Sequence, residues 1–251
     1  MKRNGETNDF GGRGLVLALH PEQVGEDAII VGDRGRVLLA TELLDDAQLI
    51  NEDRGLTTAT GNYQGRRVTV SAFGMGAPIA AVVVEELASI GVRRVLRLGT
   101  VMSAGQTQLG DLVVAHGAIR EESTSLGYLP LEYPAVPDFE LTARAEAAAR
   151  ATGLPVRSGI YATADGFYTD LMRRGDPDGQ AELVAKRAAQ HVVGTDMETS
   201  AVLIVARARG IAAASLCLAS VDGRDFSKLD AYPRREAELQ LLRAGLESLA
   251  T

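Results

Sequence analysis

Short apolar runs alternate with longer stretches of helical spacing along most of the chain, and many of the runs stop at glycine. That alternation predicts an α/β fold, with strands feeding glycine turns that open helices. Asp27 to Val31 reads as a buried strand running into Gly32-Asp33-Arg34-Gly35-Arg36, with a helix predicted from Val37 to about Ile50. Arg66 to Phe73 reads as the second strand of a pair turned at Gln64-Gly65. It ends in Gly74-Met75-Gly76-Ala77-Pro78, where Pro78 suits the first turn of a helix, Ile79 to Ile90, that Gly91 closes. Strands follow at Arg93 to Leu98 and Leu112 to Ile119, then a long connection from Arg120 to Pro137. A helix from Asp138 to Thr152, a strand from Val156 to Ala162 and an exposed helix from Gln180 to Gln190 come next, the last preceded by a charged surface excursion, Arg173 to Gly179. The short pair Val192-Val193, an apolar helical run Ala201 to Ala206, a buried strand Ile211 to Ser220 and a helix Pro233 to Leu249 complete the pattern.

Composition narrows the class. In 251 residues, 46% are hydrophobic, only 4% are aromatic and none is Trp, which predicts a sizeable aliphatic core. A net charge of −7 offers no general attraction to nucleic acid. The single Cys217 excludes an intramolecular disulfide, and His20, His116 and His191 lack metal-ligand spacing, so no metal is expected. Met1 to Gly14 is polar and glycine-rich, without the apolar core of a signal peptide, and no later segment is long and uncharged enough to span a bilayer. The expectation is a flexible start over 1–14, one domain over 15–251 and a cytoplasmic protein with no membrane partner.

Several polar residues sit where apolar ones belong. Arg97, near the end of an apolar strand, needs a carboxylate, carbonyl groups or a bound anion, and a structural ion pair is as good an account as a ligand. The turn after Val31 combines free backbone N–H groups with Arg36, an arrangement suited to an oxyanion. Glu198, between a short strand and a buried helix, is either a first-turn acid beside a cap at Asp196 or Thr195, or a carboxylate with a ligand. Asp222 follows a buried strand directly, where a group can exchange a proton, although Asp-Gly is also a common turn pair. Phe167 can stack on a planar ligand or fill the core.

In order along the chain these features resemble the nucleoside phosphorylases of the uridine phosphorylase and hexameric purine nucleoside phosphorylase type. The landmarks are Gly32-Asp33 with Arg36, Gly74 to Pro78 with Glu85-Glu86-Leu87, Leu96 to Thr100, and Gly110-Asp111. Pro130 to Val136, Ala164 to Tyr168 and Met197-Glu198 continue the series. The resemblance implies one α/β domain with a mixed, partly barrel-like central sheet flanked by helices. It also implies reversible phosphorolysis, in which inorganic phosphate attacks C1′ of a nucleoside to give free base and a pentose 1-phosphate.

By the same resemblance Gly32, Arg36, Arg97 and Thr100 bind phosphate, and Arg54 enters the phosphate site of a neighbouring subunit, so that the site is completed in a homo-oligomer, a dimer or a hexamer. Glu198 accepts the ribose hydroxyls and Met197 lies beneath the sugar. Phe167, Val101 and Met102 border the base, and Asp222 stands where purine-cleaving members carry an acid for N7. Asp222, together with Leu171 in place of a uracil-reading Gln, favours a purine. Phosphate is the co-substrate and no cofactor is implied. The chain departs from the pattern at Val16, where a His is expected, and at Val101-Met102, where a small residue and Gly are usual. A uridine phosphorylase-like enzyme and a nucleoside- or phosphate-binding homologue without turnover are the alternatives.

Overall fold

The computed structural model describes residues 13–250, so most of the segment expected to be flexible lies outside the described residues. Nine strands form one sheet: β1 (Asp27–Val31), β2 (Asp45–Asn51), β3 (Thr58–Tyr63), β4 (Arg66–Ala72), β5 (Arg94–Ser103), β6 (Leu112–Glu121), β7 (Val156–Ala164), β8 (Val192–Asp196) and β9 (Ala212–Asp222). Their order is β2-β3-β4-β1-β5-β8-β7-β6-β9, and β9 returns to pair with β5. The second half of the sheet therefore closes on itself, while β2 to β4 and β1 extend from β5 as an open sheet. The expected mixed, partly barrel-like sheet is the one observed.

Helices α1 (Arg34–Thr41), α2 (Ala77–Ser89), α3 (Phe139–Ala151), α4 (Pro177–Ala189), α5 (Thr199–Arg209) and α6 (Ala231–Ala250) flank it. One apolar cluster joins β1, β4 and β5 to α1, α3 and α6, and another joins β1 and β5 to α2 and α5. β1 is buried at every position because both its faces are covered, which explains its continuous apolar run. Inside the closed half, Val101, Val113, Ala115, Tyr161, Cys217 and Ala219 pack together.

One predicted element is wrong. The helix expected from Val37 to Ile50 stops at Thr41, and Asp45–Asn51 is the edge strand β2, paired antiparallel with β3 through two register shifts. An exposed edge strand carrying Asp45 and Asp46 shows no clean alternation, and its acids are the kind of charge that keeps an edge from pairing further. A smaller correction concerns α4, which starts within the stretch read as surface excursion. Asp176 caps it by accepting from the Gly179 N–H at 3.0 Å, and Pro177 fills its first turn. The long connection after β6 is held by Arg120, which donates to the carbonyls of Leu129, Pro130 and Tyr133 at 2.8, 2.5 and 2.7 Å.

Among the described residues no helix is long and apolar enough to cross a membrane, and no group of three or more His, Cys, Asp or Glu is placed to hold a metal.

Candidate active site

The parallel trio β4-β1-β5 brings its C-terminal ends to one edge: Val31 lies in register with Ala72 on one side and Leu98 on the other. Ligand sites of α/β sheets form at such edges. The turns beyond β1 and β4 touch, the Gly74 N–H donating to the Gly32 carbonyl at 3.1 Å. A side chain at Gly32 would meet the Gly74 oxygen at 2.9 Å, so only glycine permits this approach.

Arg97 is 2% exposed and turns back along its own strand over Gly99, where an added Cβ would lie 2.3 Å from Nη1. Its Nη2 donates to Glu198 Oε2 at 2.5 Å and lies 3.2 Å from Asp196 Oδ2, while Nη1 reaches Cys217 Sγ at 2.6 Å. Burial works against its charge, but Cys217, Asp196 and Glu198 outweigh that penalty and hold its pKa well above the usual arginine value. Both accounts of Arg97 left open by the sequence thus meet in one place, since its structural partner is the expected ribose carboxylate.

Glu198 is itself buried, and its Oε1 accepts from the Gly76 N–H at 2.7 Å. Asp196 takes the capping role. It accepts from the Thr199 N–H at the start of α5, from the Thr199 hydroxyl at 2.5 Å and from Thr163 Oγ1 at 2.8 Å. Glu198 is therefore spared the cap, and each of its oxygens, with one donor apiece here, keeps a lone pair for a further donor.

Arg36, on the first turn of α1, is also buried. Nη1 donates to the Leu98 carbonyl at 3.0 Å, Nε stands 3.5 Å from Glu238 without a hydrogen bond, and burial lowers the pKa despite Glu238 and Asp33. Arg97 pushes it in the same direction. Thr100 is half-buried one residue past Gly99. Arg54 stands apart from this group: it is exposed, adopts a left-handed backbone with φ 56°, and makes no side-chain hydrogen bond or ion pair among the described residues.

Met102, Ala164 and Leu171 form an apolar wall with the half-buried Phe167, Met172, Met197, Val221 and Phe226. Expected sugar and base neighbours Met197, Phe167 and Met102 are thus together. Val101 is not with them, because adjacent strand residues point to opposite faces and Val101 joins the interior of the closed half. Asp222, next to Val221, is gripped by Arg224, whose backbone N–H and Nε each donate to Oδ1 at 2.8 Å and whose Nη2 pairs with Oδ2. The Arg224 hydrogen bond holds the carboxyl below the usual aspartate pKa, so Asp222 is an acceptor at neutral pH. It delivers a proton only after taking one up itself, which the pair with Arg224 opposes.

Sequence reading missed Arg224, the Gly76 N–H and the Cys217 contact. Arg two residues after Asp in a turn was a usable signal for the first; the other two depend on how distant segments meet. At Val16, where a His was expected, the backbone is pinned instead: the N–H groups of Val16 and Leu17 each donate to Glu86 at 2.7 Å.

Residues 26–240 match the phosphorylase superfamily profile. The chain is 36% identical over 208 residues to a guanosine phosphorylase of Halorubrum lacusprofundi, covering 82% of each chain. It is 34% identical to a uridine phosphorylase of Thermococcus kodakarensis, over 80% of this chain and 74% of that one. A DeoD-type purine nucleoside phosphorylase of Yersinia enterocolitica is 31% identical, over 84% and 85% respectively. Among solved structures, the uridine phosphorylase of Vibrio fischeri superposes with a TM-score of 0.85 at 29% identity, covering 96% of this chain and 98% of that one. Matched over most of its length in sequence and nearly all of it in fold, the chain belongs to the phosphorylase superfamily, in its nucleoside phosphorylase branch.

Proposed function

We infer that the chain catalyses phosphorolysis of a purine nucleoside, with inorganic phosphate as nucleophile and no further cofactor, in the cytoplasm. The observation carrying this reading is the pair of buried arginines, Arg36 and Arg97, at the sheet edge where the Gly32 and Gly74 turns meet. A dianion between them would meet two positive charges. Thr100 completes the cradle from this subunit, and Arg54, exposed and without a side-chain partner among the described residues, completes it in a neighbour. The working unit on this reading is a homo-oligomer.

Phosphate held there attacks C1′ as the bond to the base breaks, and the bonding pair leaves with the base. Positive charge gathers on the sugar in the transition state. Glu198, holding the 2′- and 3′-hydroxyls, favours that charge, and its own position is fixed by Arg97 and Gly76. Met197 supports the sugar, while Phe167 and Met102 face the base. Asp222 accepts a hydrogen bond from the departing purine at N7 when that nitrogen carries a proton, or passes on a proton that it has first taken up from water with Arg224 displaced.

Uridine phosphorolysis is the second reading, favoured by the likeness to uridine phosphorylases. Leu171, buried in the apolar wall, opposes it by offering uracil no polar partner. Incubation with inosine, guanosine, adenosine and uridine, with and without phosphate, decides between them. Phosphate-dependent release of a purine base and pentose 1-phosphate is the expected result. Release of uracil alone supports the second reading, and no release from any nucleoside overturns both.

A further inference from the structure

Behind Met102 lies a space that the phosphate and sugar residues leave unused. It is a cavity of about 70 Å³ bounded by Met102, Leu171, Gln180, Thr195, Gly223 and Arg224, among others. That is larger than one water requires, and its walls are largely apolar. Gln180, from the first turn of α4, lines both this cavity and a wider outer cleft with Tyr168 and Phe226, so the space is within reach of the surface.

The Gln180 amide has a fixed orientation. Its Nε2 donates to the Gly223 carbonyl at 2.8 Å, and because a carbonyl only accepts, the nitrogen must face Gly223. The other end, Oε1, is buried and has no hydrogen-bond partner among the described residues. A buried amide oxygen without a donor is unfavourable, and the ligand that relieves it must bring an N–H. Gly223 also ties this amide to chemistry, since it follows Asp222 directly and its N–H points to Ser103 Oγ at 3.4 Å. Gln180 and Asp222 thus hold the same turn from two sides, with Met102 and Leu171 as the apolar walls between them.

We propose that Gln180 is a specificity-determining residue whose Oε1 accepts the ring N–H at the far edge of a 6-oxopurine base. This rests on the phosphorolysis reading above. A 6-oxopurine carries a hydrogen at N1; adenine presents a lone pair there, which the amide oxygen repels. A two-ring base reaches farther from the sugar than a pyrimidine does, toward a cavity set behind the first wall of the site. Arg187, which also lines the cavity, pairs with Glu121 through Nη1 at 3.0 Å, while its buried Nε has no partner among the described residues and is left as a second donor for the same ligand.

The test compares inosine with 1-methylinosine, which lacks the N1 hydrogen, and with adenosine. Wild type is expected to favour inosine in kcat/KM by roughly tenfold or more over both, and Gln180→Leu to bring the ratios to near unity. Calorimetric titration of hypoxanthine into wild type and Gln180→Leu adds a measurement that needs no turnover, with affinity expected to fall by about tenfold in the variant. Phosphate binding retained in Gln180→Leu shows that the variant is folded. Equal handling of inosine and 1-methylinosine by wild type, or hypoxanthine binding unchanged in the variant, overturns the assignment. A wild type that cleaves no nucleoside yet loses hypoxanthine affinity in the variant refutes phosphorolysis while upholding Gln180.

Discussion

Arg97 Nη2 and Glu198 Oε2 are 2.5 Å apart, so the arginine expected to hold phosphate and the acid expected to hold the sugar form one buried ion pair. Asp196 shares the same nitrogen at 3.2 Å. Breaking such a pair from one side leaves buried charge uncompensated. Arg97→Ala is therefore expected to destabilise the protein by about 3–5 kcal/mol and to abolish phosphate dependence. Glu198→Gln in that background should recover part of the stability and none of the activity. Urea unfolding of the single and double variants measures this; additive losses would argue against the coupling.

Gly99 makes room for the guanidinium. In Gly99→Ala the added carbon would lie 2.3 Å from Arg97 Nη1, and Arg97 must shift. Overpacking of this kind costs roughly 1–3 kcal/mol, and displacement of a positioning group by about 1 Å lowers rate by up to about 10²-fold. The expected signature is a raised KM for phosphate with a smaller change in nucleoside affinity. An unaltered phosphate KM would mean that Arg97 does not address the anion.

Asp222→Asn keeps the shape of the side chain and removes its charge and its proton chemistry. Purine nucleoside cleavage should slow on the order of 10²-fold, read as kcat/KM on inosine. Unchanged turnover would remove Asp222 from the reaction.

The Asp222–Arg224 pair carries a pH signature. Because Arg224 lowers the Asp222 pKa, the pair stabilises the fold fully above the unfolded aspartate pKa and loses that contribution as pH falls through the lower folded value. Arg224→Met should therefore be less stable than wild type at pH 7, with the difference closing in acid. Urea midpoints across that range test the sign; a gap that widens in acid contradicts it.

Arg54 is expected to act across a subunit boundary. Arg54→Ala and Glu198→Gln should each be inactive alone, whereas co-refolded mixtures regain activity because some sites combine an intact residue from each chain. Full activity from a monomer, read by sedimentation alongside assay, would refute the shared site.

Much of the architecture was legible because central strands such as β1 and β9 are buried on both faces and read as continuous apolar runs. β2 was not, since an edge strand with Asp45 and Asp46 obeys solvation rather than packing. In the site, Arg97 and Glu198 stood out as charges in apolar surroundings. What the sequence could not supply was their mutual contact, made across 101 positions of chain, or the division of labour by which Asp196 caps α5 and leaves Glu198 available. Val101 and Met102 show the limit most plainly: neighbours in sequence, they serve different compartments because strand side chains alternate.

Strand β5 pairs with β9 along one edge and with β1 and then β8 along the other, and it carries Arg97, Gly99, Thr100 and Met102 in succession. The proposed anion contacts and base wall are therefore graduations on a single ruler, clamped along its length by hydrogen bonds. Inserting or deleting one residue there would displace both at once, leaving little room for gradual change. Helix α4 lies outside that ladder and is tied to it by side chains, Arg187 to Glu121 and Gln180 to the Gly223 carbonyl, so the Gln180 end of the pocket can change by substitution without shifting β5. In such a molecule the chemistry is inherited as a block, and the choice of base is where lineages can diverge.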